Sequence, residues 1–355
     1  MRRCRSRIGT SAQTLPHPST ASRRMARGDR RERNAEHVLL KSPRFLQIGH
    51  AEQPALRTEL LAGLMAPSPA IAPKFFYDAL GARLFSAITE LPEYYPTRTE
   101  AAIFAAHRQG IAEALGQGVT LVDLGAGNCE KAERLFESLG VSSYVAVDIS
   151  VDYLRDSLDR LQRDHPGIEM LGIGMDFCGS LTLPAEAGDG PRTLFYPGSS
   201  IGNFTPDDAL AFLRQAHTEC RGGSLLIGVD LVKPTALLER AYDDSLGVTA
   251  AFNRNLLLHV NRIAGTDFDV ADWRHVAFFD AGLSRIEMHL EAQRGTMVRW
   301  GDGERRFDAA ERIHTENSYK WRLEDFKALL AAAGFSASRH WSDAREWFAV
   351  LQAKA

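Results

Sequence analysis

The 355-residue chain has only four cysteines, which are too scattered for a disulfide framework or a metal site. We therefore expect a protein of a reducing compartment, the cytoplasm. No apolar run reaches the roughly 18–20 residues that a membrane-spanning helix needs, so no membrane partner is expected. The eleven histidines never show H-x-x-x-H spacing, and no metal is expected either.

Acidic residues are scarce at the N-terminus. Residues 1–34 hold ten arginines against Asp29 and Glu32, a balance of +8 in a chain of net charge −3, which leaves −11 for the remainder. We expect residues 1–49 to form a basic, disordered extension. A nucleic-acid-binding tail and a targeting peptide are alternatives. We favour a dispensable start, with Met25 as the candidate initiator, because the acidic body argues against nucleic acid as a partner.

Between residues 119 and 232 the chain alternates between apolar strands and helices. Strands are predicted at 119–124, 143–148, 169–173, 193–196 and 224–230, with helices at 129–139, 151–163 and 206–220. Near-continuous apolar strands separated by helices are typical of a parallel sheet covered on both faces. The sequence therefore predicts an α/β fold with a Rossmann-like sheet.

The pattern changes after Lys233. Residues 235–263 are predicted to be helical, and residues 274–300 show the two-residue alternation of an antiparallel sheet. Earlier in the chain, Thr97 or Thr99 is the expected cap of a helix. The paired acids at 243 and 244 are interpreted as structural, because no third metal ligand accompanies them.

We expect two domains, each assembled from separate segments. The sheet domain would bind the cofactor, and a discontinuous α+β domain would bind the substrate over the carboxyl ends of the strands. The predicted boundaries are 99–232 and 320–355 for the sheet domain, and 50–98 and 233–319 for the substrate-binding domain.

A glycine turn follows the first of these strands, but it lacks the third glycine of a dinucleotide-binding loop. Gly125 and Gly127 are present, whereas the next position of the pattern is Glu130. A glutamate there would face a pyrophosphate at the start of the helix, which is unfavourable. NAD and FAD are therefore disfavoured. An adenosine cofactor without phosphate, such as S-adenosylmethionine, fits better.

Acidic residues follow three successive strands at the edge where the turn lies. Asp148 ends the second strand, where a carboxylate can accept both hydroxyls of a ribose. Asp123 precedes the glycine turn and is placed to hold the cationic amino-acid end of the cofactor. Asp176 can accept from the adenine amine, and Phe177 can cover the ring. This series predicts an S-adenosylmethionine-dependent methyltransferase.

Seven longer segments carry specific motifs: 76–81 (FYDALG), 91–100 (LPEYYPTRTE), 197–204 (PGSSIGNF), 228–234 (GVDLVKP), 241–244 (AYDD), 249–255 (TAAFNRN) and 314–320 (HTENSYK). In these segments the chain resembles the S-adenosylmethionine-dependent L-histidine Nα-methyltransferases, which make hercynine in ergothioneine biosynthesis. The resemblance covers about residues 70–355. It implies transfer of three methyl groups to the α-amino nitrogen of L-histidine, with S-adenosylhomocysteine as the second product.

The resemblance also implies roles for individual residues. The substrate carboxylate would be held by Asn203 and Tyr242, and its imidazole by Glu316 and Ser318. Other substrate-side positions are Met288 in the imidazole pocket and, around the amine, Tyr77, Phe85 and Tyr94. Tyr77 and Tyr94 are the candidate catalytic residues, as proton relays. The predicted cofactor contacts, including the two glycines of the turn, are Asp123, Gly125, Gly127, Lys131, Asp148, Asp176, Phe177 and Gly198.

Two alternative functions stay open, and a monomer is expected in each. A family member acting on another amino acid, such as a tryptophan derivative, is the nearer one. Glu316 argues against it, because an indole would leave this carboxylate without its partner at a cost of about 1–3 kcal/mol. The other alternative, a non-catalytic adenosine-binding regulator with a basic tail, is disfavoured by the complete set of substrate-side residues.

Overall fold

The computed structural model describes residues 41–48, 53–149 and 151–355. The strands in these residues are β1 (Arg44–Gln47), β2 (Thr120–Leu124), β3 (Ser143–Asp148), β4 (Glu169–Gly174), β5 (Arg192–Tyr196), β6 (Ser224–Asp230), β7 (Trp273–Asp280), β8 (Arg285–Ala292), β9 (Thr296–Trp300), β10 (Gly303–Phe307), β11 (Arg312–Tyr319), β12 (Ala337–Ser342) and β13 (Phe348–Lys354). The helices are α1 (Gln53–Met65), α2 (Ala79–Thr89), α3 (Tyr95–Leu115), α4 (Glu130–Glu133), α5 (Phe136–Leu139), α6 (Val151–Asp164), α7 (Pro206–Glu219), α8 (Thr235–Tyr242), α9 (Val248–Ala264) and α10 (Leu323–Ala332).

The central sheet has eight strands in the order β1-β4-β3-β2-β5-β6-β13-β12. Strands β1 to β6 are parallel, and β13 runs antiparallel to both of its neighbours, β6 and β12. The chain moves outward from β2 to β4 and then returns to place β5 on the other side of β2. The strand order therefore reverses between β2 and β5, which is where open α/β sheets bind ligands. The predicted α/β, Rossmann-like sheet is confirmed.

Apolar residues on both faces of each strand explain why the sheet is covered on both sides. In β2, Val122 and Leu124 face one core, while Leu121 faces the other. In β3, Val145 lies in the first core and Tyr144 in the second. Helices with one apolar face then bury both surfaces of the sheet, as predicted from the near-continuous apolar strands.

A third core lies under an antiparallel sheet of order β11-β8-β7, against which α8 and α9 pack, while α1 and α2 pack on α9. Its largest buried side chain is Trp273. A separate hairpin, β9-β10, contributes Val298 and Phe307 to the same core. The antiparallel strands expected in 274–300 are thus present beside the Rossmann-like sheet. The division into two domains with the stated boundaries stays a prediction, because the described residues pack as one compact unit.

The two sheets meet at the end of β6. The backbone N–H of Trp321, just after β11, donates to the carbonyl of Asp230 at 3.0 Å, and Val232 donates back to Trp321. Gly202, in the turn after β5, lies so close to β11 that a Cβ atom would stand 2.9 Å from the carbonyl oxygen of Tyr319. These contacts bring β11 to the carboxyl edge of the parallel strands.

Several sequence expectations need correction. The disordered extension predicted for residues 1–49 is wrong for Arg44–Gln47, which form β1 because the Phe45 ring packs over Gly172. The rest of that prediction, with Met25, falls mostly outside the described residues. Helix α3 starts at Tyr95, so Thr97 and Thr99 do not cap it; the Thr99 hydroxyl donates to the Tyr95 carbonyl within the helix.

Two predicted helices are each divided in two. The helix predicted at 129–139 breaks into α4 and α5, and the one at 235–263 into α8 and α9. Asp244 causes the second break, because its carboxylate accepts from the backbone N–H groups of Val248 and Thr249 at 3.0 and 2.7 Å. This cap supports the structural interpretation of the acidic pair. Strand β12 was not predicted at all.

Candidate active site

The glycine turn after β2 lies at the reversal point of the sheet. Gly125 and Gly127 have φ angles of 74° and 53°, a region that favours glycine. The N–H of Gly127 donates to Asp148 Oδ2 at 2.9 Å, which joins the turn to the end of β3. A Cβ atom at Gly125 would lie 3.8 Å from the Phe177 ring, so the glycine keeps this side of the turn open. The turn, Asp148 and Phe177 thus form one cradle.

Asp123 is buried beneath this turn. The hydroxyl of Tyr144 donates to its Oδ2 at 2.8 Å, and its Oδ1 is buried without a partner among the described residues. Burial raises the pKa of the Asp123 carboxyl to about 7, against the opposing effect of the Tyr144 hydrogen bond. An unpaired buried oxygen is costly until it gains a donor. The ammonium group of S-adenosylmethionine is such a donor, and this fits the predicted cofactor.

Lys131 and Gly198 are brought together by Glu100, the last residue of the motif at 91–100. Its carboxylate is buried; Oε2 pairs with the Lys131 ammonium at 2.7 Å, and Oε1 accepts from the Gly198 N–H at 2.7 Å. A Cβ atom at Gly228 would lie 2.1 Å from Oε1, so glycine is required beside it. Glu100 therefore ties α3 and α4 to the loop after β5.

Asp176 and Phe177 follow β4 as expected. Asp176 Oδ2 pairs with Lys74 at 3.1 Å, and its Oδ1 accepts from the Cys178 N–H at 3.2 Å. Since a carboxylate has about four acceptor positions, these bonds leave capacity for a ligand amine. Phe177 is buried and contacts Tyr196 edge-on, with ring centroids 6.0 Å apart. Its ring is therefore fixed beside the glycine turn.

A chain of aromatic rings lines the substrate side. Tyr77, Phe85, Tyr94 and Tyr242 follow one another with centroid distances of 5.8, 6.3 and 6.1 Å. Phe252 on α9 closes the group at 6.0 Å from both Tyr77 and Phe85. Such edge-on rings offer their negative faces to a cation. The structure thus joins the predicted aromatic residues and adds Phe252.

Strand β11 presents Glu316 and Ser318 on one face. A bulge between His314 and Glu316 sets the register, after which Glu316 lies opposite Met288 and Ser318 opposite Ile286. Residues two apart on a strand share a face, so Met288, Glu316 and Ser318 lie together. Burial raises the pKa of the Glu316 carboxyl to about 7, while the charge of Lys320 opposes the rise.

The hydroxyls of Tyr242 and Ser318 lie 2.7 Å apart and share a buried lysine. The Lys320 ammonium contacts Tyr242 Oη at 2.9 Å, Ser318 Oγ at 2.6 Å and Asp230 Oδ2 at 2.9 Å. Asp230 also pairs with Lys233 and accepts from the Tyr95 hydroxyl at 2.7 Å. Although burial works against it, the charges of Lys320 and Lys233 hold the Asp230 pKa below its usual value.

Asn203 lies at the end of the short helical turn Ser200–Asn203. Its neighbour Gly202 packs against Tyr319, and a Cβ atom there would be 3.6 Å from Ser318 Oγ. Within the described part of the chain, the Asn203 amide has no hydrogen-bonding partner. The turn that carries Asn203 therefore lies close to Ser318, and the Asn203 amide is half-buried with unused donors.

Tyr77 is the first ring of this aromatic chain. Burial raises the Tyr77 pKa well above its usual value, and the charges of Glu316 on the predicted substrate side and Asp148 on the predicted cofactor side add to the rise. Tyr77 exposes 39% of its surface, and its ring lies edge-on to those of Phe85 and Phe252. The Tyr94 pKa is likewise raised by burial and then by Tyr242 and Glu316. Both phenols are therefore protonated near neutral pH.

Residues 41–48, 53–149 and 151–355 contain neither a cluster of His, Cys, Asp and Glu suited to a metal ion nor a helix long and apolar enough to span a membrane. The residues that sequence reasoning missed are Glu100, Asp230, Phe252 and Lys320. All four lie inside the quoted motifs, so the signal was present. What the sequence could not supply was their partners, which come from distant segments.

The comparisons with known proteins agree with this geometry. The profile of the family described as histidine-specific methyltransferase, SAM-dependent, matches residues 56–355. The chain is 43% identical over 296 residues to the histidine N-alpha-methyltransferase of Mycolicibacterium smegmatis, covering 81% of this chain and 91% of that protein. The Mycobacterium tuberculosis protein of the same name is also 43% identical, with the same coverage.

A more distant relative is ergothioneine biosynthesis protein 1 of Neurospora crassa. It is 32% identical over 290 residues, which cover 79% of this chain and 32% of that longer protein. The family match spans the cradle after β2, the aromatic chain and strand β11. The chain therefore belongs to the S-adenosylmethionine-dependent histidine-specific methyltransferase family.

Proposed function

We propose that this enzyme transfers three methyl groups from S-adenosyl-L-methionine to the α-amino nitrogen of L-histidine, forming hercynine and S-adenosylhomocysteine. The observation that carries the proposal is the chain of aromatic rings from Tyr77 to Tyr242, which ends at the buried Ser318 hydroxyl on β11. The relatives named for histidine methylation support the substrate. Monomeric state, cytoplasmic location and the absence of nucleic-acid and membrane partners stay predictions.

In this proposal the cradle after β2 holds the cofactor. Asp148 accepts the ribose hydroxyls while it fixes Gly127, and Asp176 and Phe177 bind the adenine. Lys131, paired with Glu100, and the backbone at Gly198 lie where the amino-acid end is expected, with Asp123 beneath it. S-adenosylmethionine supplies a sulfonium methyl group, which is displaced in line by an amine. The protein contributes by holding the amine lone pair about 3 Å from that carbon.

The substrate side distinguishes the three polar ends of histidine. Asn203 and Tyr242 hold the carboxylate, and Glu316 and Ser318 hold the imidazole beside Met288. The amine then projects among Tyr77, Phe85 and Tyr94, whose faces stabilise the growing positive charge of the product. Since no group in this assignment grips the amine itself, primary, secondary and tertiary amines all fit. We therefore expect processive or nearly processive trimethylation.

The proton that the amine must lose before each transfer passes by way of Tyr77 or Tyr94, or through water that they hold. Their raised pKa values favour neutral phenols that orient and relay, rather than phenolate bases. The variants Tyr77→Phe and Tyr94→Phe should each lower turnover by about 10- to 100-fold and shift its pH profile. Unchanged turnover with an unchanged profile in both variants would refute the relay.

The proposed function is tested by incubating the enzyme with S-adenosylmethionine and each amino acid separately. Product masses are read at several times. We expect histidine alone to gain about 42 Da, the mass of three methylene units, with little +14 or +28 Da product released. A tryptophan product in place of the histidine product would favour the alternative substrate. Absence of any transfer would favour the non-catalytic regulator.

A further inference from the structure

The Lys320 ammonium is completely buried. It donates hydrogen bonds to Tyr242 Oη at 2.9 Å and Ser318 Oγ at 2.6 Å, and it forms an ion pair with Asp230 Oδ2 at 2.9 Å. A lysine ammonium can only donate, so both hydroxyl oxygens accept from it. Each hydroxyl hydrogen is then available for another acceptor.

The number of hydroxyl hydrogens on Tyr242 and Ser318 determines how many hydrogen bonds this pair can donate to a ligand. One of the two hydrogens fills the 2.7 Å bond between Tyr242 and Ser318. The described residues offer no acceptor for the other hydrogen. When a substrate binds, both hydrogens can turn towards it, because Lys320 continues to satisfy both oxygens. The lysine thus makes the pair a donor site, suited to a carboxylate and a ring nitrogen.

The charge around Lys320 points to the same conclusion. Lys320, Lys233 and Asp230 are all buried, with side-chain exposures of 0%, 1% and 1%, and they carry one more positive than negative charge. Asp230 already has Lys233 and Tyr95 as partners. Lys233 alone is enough to balance the charge of Asp230, so Lys320 is not needed for that purpose. A second buried positive charge is unfavourable unless it has a further use. The Lys320 charge is left for groups in the site, Glu316 and an incoming anion.

We propose that Lys320 is a positioning residue for substrate binding: it holds the hydroxyls of Tyr242 and Ser318 as hydrogen donors and places a positive charge behind the carboxylate-binding position. This inference rests on the proposed function, which places the histidine carboxylate on Tyr242. It predicts that Lys320 affects affinity for the carboxylate-bearing substrate and leaves cofactor binding unchanged.

The test uses Lys320→Met and measures ligand affinity by calorimetry. Histidine is titrated with S-adenosylhomocysteine saturating, and S-adenosylhomocysteine is titrated alone. We expect histidine to bind about 10- to 100-fold more weakly, as for loss of charge-assisted hydrogen bonds. Affinity for S-adenosylhomocysteine should change by less than about 2-fold. The melting temperature should be equal to or above that of the wild type, because Asp230 keeps its other partners.

Histamine, which lacks the carboxylate, separates positioning from general damage. Its affinity should change much less than that of histidine, so the wild-type preference for histidine should shrink by about tenfold in the variant. Lys320→Gln, which keeps N–H donors but removes the charge, should fall between the wild type and Lys320→Met. Lys233→Met is the matched control, because it removes a buried lysine from the same carboxylate without touching Tyr242 or Ser318. It should keep histidine affinity within about 3-fold.

Two results would overturn the inference. One is histidine affinity in Lys320→Met within about 3-fold of the wild type. The other is an equal loss for histidine, histamine and S-adenosylhomocysteine, which indicates a structural role. Failure of the proposed function is a separate result, which the wild-type enzyme alone reveals. In that case the wild type would leave histidine unmethylated, whatever the variants do.

Discussion

Glu316, the residue proposed to bind the imidazole, is a buried carboxylate that lowers the stability of the fold. Burial raises its pKa from 4.5 to about 7, even though Lys320 acts in the opposite direction. Between these two pH values the folded chain binds a proton that the unfolded chain has lost. Stability therefore falls as the pH rises from about 4.5 to 7, and the loss persists at higher pH. The ionised carboxylate, which is the form that accepts from an imidazole N–H, therefore lowers the free energy of unfolding.

Glu316→Gln should therefore stabilise the protein while it weakens histidine binding. We expect the free energy of unfolding to increase by about 1–3 kcal/mol at pH 8, where the carboxylate is ionised, and to change little near pH 4.5. Denaturant unfolding of both proteins at the two pH values measures this. A similar change at both pH values, or a loss of stability at pH 8, would show that Glu316 is paired more favourably than its surroundings indicate.

At the scale of secondary-structure elements, α3 fixes the cofactor edge of the sheet through one residue. Glu100 contacts Lys131 on α4 and the N–H of Gly198 after β5. Its side chain is only 1% exposed, so water cannot replace either partner if the contact is lost. A carboxamide can still accept from Gly198, but it would turn an N–H₂ group towards the Lys131 ammonium. The contact between α3 and α4 would then bring two hydrogen-bond donors together, and they would repel each other.

Glu100→Gln should weaken S-adenosylhomocysteine binding by about 10- to 50-fold, with a much smaller effect on histidine. Glu113→Gln, at an exposed position of the same helix, is the matched control because it makes the same substitution away from the site. Calorimetric titration of each ligand separates the two effects. Equal weakening of both ligands would place the role of Glu100 in general folding rather than in the cofactor site.

The strength of apolar patterning decided which elements the sequence predicted correctly. The five strands from β2 to β6 are confirmed because both faces of each are buried, and their sequences are almost continuously apolar. Strand β12 was missed because it is an edge strand with a mostly polar sequence and no fully buried residue, and it pairs only with β13. Its position depends on a partner that local patterning cannot reveal.

At the scale of the whole molecule, the active site depends on how closely the second sheet approaches the first. Gly202 sets that distance, because its Cα faces the backbone of Tyr319 where no flexible side chain can move aside. The sequence placed the cofactor residues on successive strands, and the family resemblance supplied the substrate residues. Their meeting through Asp230 and Lys320 joins residues ninety positions apart, which no local pattern encodes.

Gly202→Ala should push β11 away from the parallel sheet. A Cβ atom 2.9 Å from the Tyr319 oxygen must displace backbone, so we expect a loss of about 1–3 kcal/mol in the free energy of unfolding. Catalytic efficiency should fall by more than about tenfold. Gly179→Ala is the control, since a Cβ atom there meets nothing within 4 Å. Normal activity in Gly202→Ala would show that the sheet separation is not critical.

The central claim, that the cradle after β2 and the face of β11 form one histidine-methylating site, is tested most directly by a crystal structure with S-adenosylhomocysteine and histidine bound. We expect the imidazole at Glu316 and Ser318, the carboxylate at Asn203 and Tyr242, and the amine directed at the cofactor sulfur among the aromatic rings. Histidine bound with its carboxylate towards Glu316, or with its amine directed away from the sulfur, would contradict the account.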